Sequence, residues 1–191
     1  MLTLLPNTDP ITFAEQFLFK PENNEPFQSF WVQQQLLAPG TSTSNLHTVR
    51  AQRGIGVSTA MQVGLLHYVV THPCAHAWVI APYQISLRNF IESLKLMCGP
   101  AVLLSMHNPY EIVFDNGSSI RGQYTRDRKG EYRSKCDEFP DYILVLNAEY
   151  LLPADWDFFT PLFSPLANDA SQPTVWICGM PNENKPSVFA N

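Results

Sequence analysis

The residues best suited to chemistry lie together in 45–66, NLHTVRAQRGIGVSTAMQVGLL. Gly54 and Gly56 are followed by the hydroxyls of Ser58 and Thr59, and then by apolar residues at helical spacing. A glycine-bearing turn between a strand and a helix aims backbone N–H groups at an anion, and the helix N-terminus adds partial positive charge. The full polyphosphate motif, G-x-x-x-x-G-K-[ST], supplements these donors with a Lys for the β/γ oxygens and a hydroxyl for Mg²⁺. Gly56 and Ser58 fit it, but Ala51 stands at the first glycine and Val57 at the lysine. The pattern is therefore a damaged one, with Gly54, Ile55, Gly56, Val57, Ser58 and Thr59 expected around phosphate and Ser58 at Mg²⁺.

A second set of polar residues closes an apolar run. Residues 142–146, YILVL, read as a central strand, and Asn147-Ala148-Glu149 follow at its C-terminal end. In open α/β sheets ligands bind outside that edge, so these are the polar residues to weigh. A nucleotide-hydrolysing site needs an Asp here to hold the Mg²⁺ shell and a Glu to activate water. Asn147 at the metal position supplies an oxygen without charge, and Glu149 as a base arrives later than usual. Further upstream, Gln33 carries an amide able to pair with the edge of a base, although a polar helix face is the simpler reading of Gln33 to Gln35.

The elements that would position these groups follow from periodicity. Apolar residues at helical spacing predict short helices over 12–19 and 27–37, parted by the turn-rich KPENNEP. Strand, glycine loop and helix over 45–70 are followed by a buried strand at 77–81, bounded by Pro82, and a helix over 84–98. That alternation predicts a mainly parallel sheet flanked by helices. Strands at 102–104, 111–114 and 118–123 read as an antiparallel addition, with Asn116-Gly117 the favoured pair for a tight hairpin turn. Residues 124–140 are charged and expected as a loop; 158–163 form a short helix, and 174–178, TVWIC, the last strand. His72, Cys74 and His76 resemble metal ligands in type, but Pro73 and the lack of a fourth partner favour a surface turn.

Composition bounds the answer. A chain of 191 residues with 45% hydrophobic content suits one domain, here a helical lead-in over 1–44 and a core over 45–191. A net charge of -5 argues against a generally basic nucleic-acid binder. Of the 12 Lys and Arg residues, several cluster between Arg121 and Lys135, the segment expected to touch DNA or a neighbouring subunit. The four cysteines form no C-x-x-C pair, so reduced thiols in a cytoplasm fit best. No signal peptide or membrane span is expected.

Taken in order, these parts resemble the ATPase domain of the large terminase subunit, the DNA-packaging motor of tailed bacteriophages. Gln33 after Phe30-Trp31 is similar in place to a glutamine of that family. The loop Gln52-Arg53-Gly54-Ile55-Gly56-Val57-Ser58 resembles S-R-Q-x-G-K-T, with Arg53 at the arginine. The strand ending in Ala81-Pro82, the hairpin Phe114 to Ile120, and Lys129-Gly130 are similar to family elements as well. Gly179-Met180-Pro181-Asn182 resembles the coupling motif that links hydrolysis to movement.

The resemblance implies a P-loop NTPase-type α/β fold. It also implies an ATPase coupling ATP and Mg²⁺ to translocation of double-stranded DNA, with Arg53 as charge stabiliser, Glu149 as base, and Asn147 with Ser58 at the metal. Homo-oligomers on a portal, other terminase subunits and a host-cytoplasm location are implied too; the family's nuclease half has no counterpart in the chain. Val57 and Asn147 depart from the pattern, so weak nucleotide binding with slow or absent turnover is expected. Arg50 or Arg53 would have to replace the missing lysine charge. The competing reading is a degenerate relative serving as a nucleotide-binding or regulatory subunit.

Overall fold

The computed structural model describes residues 8–37, 45–52, 54–98, 104–108, 110–126, 140–163 and 173–180. Within them the strands are β1 (Leu46–Arg50), β2 (His76–Tyr83), β3 (Leu104–Asn108), β4 (Glu111–Phe114), β5 (Ser119–Arg126), β6 (Tyr142–Val145) and β7 (Thr174–Gly179). The helices are α1 (Pro10–Phe17), α2 (Trp31–Leu37), α3 (Val57–Thr71), α4 (Gln84–Met97) and α5 (Pro153–Phe163). All strands join one seven-stranded sheet in the order β1-β7-β6-β2-β5-β4-β3. From β1 through β5 every pair is parallel, while β4 runs antiparallel to both β5 and β3.

Side-chain alternation along the central strands divides the core between two faces. Ala77, Val79 and Ala81 of β2 and Tyr142 and Leu144 of β6 pack with α1 to α4, whereas Ile80, Ile143 and Val145 pack with Trp156 and Phe159 of α5. Burial on both faces explains why these strands read as continuous apolar runs. It also confirms the expected class, a mainly parallel α/β sheet flanked by helices with an antiparallel hairpin addition.

Several boundaries differ from the sequence expectation, each for a local reason. Helix α2 begins at Trp31 rather than residue 27. Phe27 N–H instead donates to Leu18 O at 3.0 Å, and Gln33 Oε1 accepts the Phe30 N–H at 2.9 Å, the reach-back half of a capping box. Helix α5 starts at Pro153, well before 158, because proline is preset for the first helical position and Asp155 Oδ2 takes the Leu152 N–H at 2.6 Å. Strand β5 runs on to Arg126, through three residues expected as loop, since its register with β2 continues to the Tyr83–Arg126 pair. Pro82 lies inside β2 instead of ending it, and its carbonyl accepts from Thr125 Oγ1 at 3.3 Å. Strand β3 covers 104–108, later than 102–104, and 101–103 fall outside the described residues.

The β4–β5 hairpin forms where Asn116-Gly117 predicts it, through a three-residue loop. Gly117 N–H donates to Phe114 O at 3.0 Å and Phe114 N–H to Ser118 O at 2.9 Å, with Gly117 at φ 84°. A type I turn closed by a left-handed glycine leaves Asn116 free to turn its side chain outward. Its Nδ2 donates to Val69 O at 2.8 Å and Val70 O at 3.3 Å, while Ser118 Oγ donates to His72 O at 2.8 Å. The DNGSS segment thus satisfies the carbonyls at the C-terminal end of α3 that no helical N–H reaches.

Candidate functional site

Strand β1 delivers the glycine loop to the C-terminal edge of the sheet. Ala51 N–H donates to Gly179 O at 3.2 Å, so the loop leaves β1 still tied to β7. Gly54 and Gly56 both adopt φ 85°, and Gly56 is the left-handed N-cap of α3, with no side chain capping the helix. The first helical bond is Ala60 N–H to Gly56 O at 3.0 Å. The N–H groups of Val57, Ser58 and Thr59 therefore have no intrahelical acceptor, and the 15-residue helix behind them adds a partial positive charge.

The other walls come from β6 and β7. Leu146 N–H still pairs with Ile80 O at 2.8 Å; Asn147 then takes φ 51°, ψ 44°, a left-handed conformation that asparagine tolerates better than most side chains. That bend starts the 3₁₀ turn Ala148–Tyr150 and carries Glu149 back toward β7, where its Oε2 accepts the Met180 N–H at 3.1 Å. A cavity of about 560 Å³ lies between these parts. Gly54, Gly56, Val57, Ser58 and Thr59 line one side; Leu146, Asn147 and Glu149 line the next; Cys178, Gly179 and Met180 complete it.

Among the described lining residues Glu149 is the one charged side chain, and the positive potential that they supply comes from backbone. Val57 is half-buried and packs against the main core, and the lysine position carries no cation. Arg50 ends β1 exposed and is not among the lining residues; Arg53 lies outside the described residues. Burial pushes the Cys178 thiol up to about 12, which disfavours the nucleophilic thiolate near neutrality. Backbone donors facing one carboxylate across a half-open cavity suit an anionic chain on one side and a proton acceptor on the other.

Of the residues expected around a nucleotide, Gly54, Gly56, Val57, Ser58, Thr59, Asn147 and Glu149 share this cavity. Ile55 is 43% exposed at the tip of the loop and does not line it. Gln33 is 2% exposed behind the loop and does not line it either. Leu146, Cys178 and Met61 also form walls, which the sequence reading did not anticipate. For Leu146 and Cys178 the signal was available, because parallel strands side by side end at one edge. The Glu149 contact with a backbone N–H leaves no sequence signal.

Other groups singled out by sequence have local roles. His72 stacks on Tyr68 at 4.3 Å, His76 Nδ1 lies 2.9 Å from Ser119 Oγ, and Cys74 N–H donates to Asn116 O at 3.2 Å. No group of three metal-ligating side chains occurs among the described residues. Arg121, at the start of the basic segment, pairs with Glu111 at 3.0 Å directly across β4–β5. Residues 127–139 lie outside the described residues, Lys129-Gly130 and Asp137-Glu138 among them, as do Pro181 and Asn182. No helix among the described residues is long and apolar enough to cross a membrane.

No protein-family model matches the chain, and no curated protein matches it. Solved structures do. The large-terminase ATPase domain of Thermus phage P74-26 superposes with a TM-score of 0.64 over 82% of this chain at 17% identity. The fold is that of a phage large-terminase ATPase domain. The HK97 bacteriophage large terminase matches with a TM-score of 0.69 over 90% of this chain at 11% identity. This chain spans 66% of the length of the first and 37% of the second. In this terminase ATPase fold the glycine loop, the β6 exit and the β7 exit meet at the ligand-binding edge of a parallel sheet.

Proposed function

We propose that the chain is the nucleotide-binding domain of a terminase-like DNA-packaging motor, with 45–191 as its core and 1–44 as a helical lead-in. The observation that carries this reading is the single cavity shared by the glycine loop, Asn147 and Glu149. A nucleoside triphosphate such as ATP would lay its phosphates on the N–H groups of residues 54–59. Arg53 beside them would supply charge. Glu149 would accept the proton of a water attacking the terminal phosphate, while its bond to Met180 relays a change in carboxylate position to the β7 exit.

The donor set suits phosphate better than metal. Ser58 and Asn147 offer neutral oxygens, whereas Mg²⁺ is ordinarily held by one or two carboxylates together with phosphates. A divalent cation would enter on the phosphate oxygens and stabilise their charge, touching Ser58 and Asn147. The remaining partners in this proposal are double-stranded DNA, a portal, other terminase subunits and further copies of the chain, in the host cytoplasm.

Val57 at the lysine position favours a second form of the same reading, a subunit that binds nucleotide without turning it over. Transition-state cations of this kind are commonly worth about three or more powers of ten in rate. Steady-state ATP hydrolysis with Mg²⁺, with and without DNA, set against equilibrium binding of a labelled nucleotide, separates the forms. Binding with turnover well below about one per second is expected for the isolated chain. Turnover at or above that rate would remove the degenerate form, and absence of binding would remove both.

A further inference from the structure

Helix α2 touches the loop and α3 at two glycines. Leu37 Cδ2 lies 3.2 Å from where a Cβ would stand on Gly64, and Gln33 Nε2 lies 2.9 Å from the same point on Gly56. At Gly56 the left-handed φ of 85° favours glycine, and the close approach places one buried amide directly against the residue that turns the phosphate loop into α3. The amide is engaged at its other end too: Gln33 Oε1 accepts the Phe30 N–H at 2.9 Å, holding the first turn of α2. A side chain that reads adenine offers an acceptor to the N6 amino group and a donor to N7 together. Here the acceptor faces the Phe30 N–H, the donor faces Gly56, and the residue is 2% exposed.

We propose that Gln33 is a positioning residue for the phosphate loop and does not read the base, so that the site selects its ligand by the polyphosphate chain. The inference rests on the nucleotide reading above and deepens it. Phe30 N–H orients the amide, the amide packs on Gly56, and Gly56 sets the direction of the Val57, Ser58 and Thr59 N–H groups. Loss of Gln33 then weakens every ligand that carries the phosphates, whatever the base.

The test compares ATP, GTP and inorganic tripolyphosphate on the full chain and on Gln33→Ala. The expected result is a fall of about tenfold for all three alike, about 1.4 kcal/mol. A fall for ATP with tripolyphosphate unchanged would make Gln33 a base reader and overturn the proposal, as would no change for any ligand. Gln33→Glu keeps the acceptor for Phe30 N–H but sets a carboxylate against the loop. It should retain the melting temperature while losing tripolyphosphate, which no general unfolding would produce; retained tripolyphosphate binding would contradict the proposal.

Amide hydrogen exchange without ligand decides the strut independently. Ala60 N–H, bonded to Gly56 O, should lose protection by about tenfold in Gln33→Ala, a factor worth about 1.4 kcal/mol. Unchanged protection overturns the strut even if nucleotide binds. A chain that binds no polyphosphate, yet shows this loss, leaves the strut standing and removes the nucleotide reading.

Discussion

Glu149 Oε2 accepts the backbone N–H of Met180 at 3.1 Å, so the carboxylate at the end of β6 also fixes the exit of β7. One side chain thereby faces the cavity and holds the neighbouring strand's departing chain. A hydrogen bond to a half-buried carboxylate contributes roughly 1–2 kcal/mol. Glu149→Ala should cost about that much in urea unfolding and abolish any turnover. Glu149→Gln, which keeps an oxygen acceptor, should recover most of the stability while hydrolysis stays lost. Equal stability losses in the two variants would show that the Met180 bond contributes nothing.

Val57 sits where an added cation would act on the ligand and on little else. Its side chain is half-buried against the core, and a lysine could run its stem along that surface with the ammonium toward the cavity. Val57→Lys should tighten ATP and tripolyphosphate by about tenfold or more, near 1.4 kcal/mol, and raise turnover. Affinity unchanged in this variant would argue that the phosphate chain lies elsewhere.

Gly54 and Gly56 share φ 85° but differ in surroundings. A Cβ on Gly54 meets nothing within 4 Å, whereas one on Gly56 meets Gln33 Nε2 at 2.9 Å. Gly54→Ala should cost about 1–2 kcal/mol of left-handed strain. Gly56→Ala should cost visibly more, and adding Gln33→Ala to it should return part of the difference. Additive losses in that cycle would mean the two residues are uncoupled.

His67 links stability to pH. Burial pulls its imidazole below the usual 6.5, partly offset by its ring Nε2 lying 2.6 Å from Thr8 O. A depressed folded value means the unfolded chain binds the proton more readily, so stability rises with pH through this window. The contribution is complete above about 6.5 and is lost as pH falls through the folded value. Urea midpoints measured from pH 7.5 down to about 5 should decline, and His67→Gln should flatten that decline. An identical slope in the variant would remove His67 as the cause.

Much of the fold was legible because both-face burial writes itself as apolar runs. Tyr142 to Leu146 and Thr174 to Cys178 were recognisable for that reason, and β4 has the bounds that its alternation predicts. The meeting of Gly56 with Asn147 and Glu149 followed from parallel topology, since β1 and β6, with β7 between them, run parallel and deliver their exits to one edge. What escaped was set by single contacts. Nothing in the string Gln33-Gln34-Gln35 tells which amide caps Phe30 and packs on Gly56. The late start of α2 and the length of β5 depend on partners distant in sequence, Leu18 and β2. Proline at the head of α5 was a local signal that helical periodicity alone does not weigh.

Backbone amide resonances of the full chain, followed during titration with ATP and with tripolyphosphate, test the central claim most directly. Saturable shifts concentrated at Gly54, Gly56, Val57, Ser58 and Thr59, with smaller ones at Asn147 and Met180, are the expected result. No shift at these amides at millimolar ligand, or shifts confined to another surface, would contradict a phosphate site in this loop.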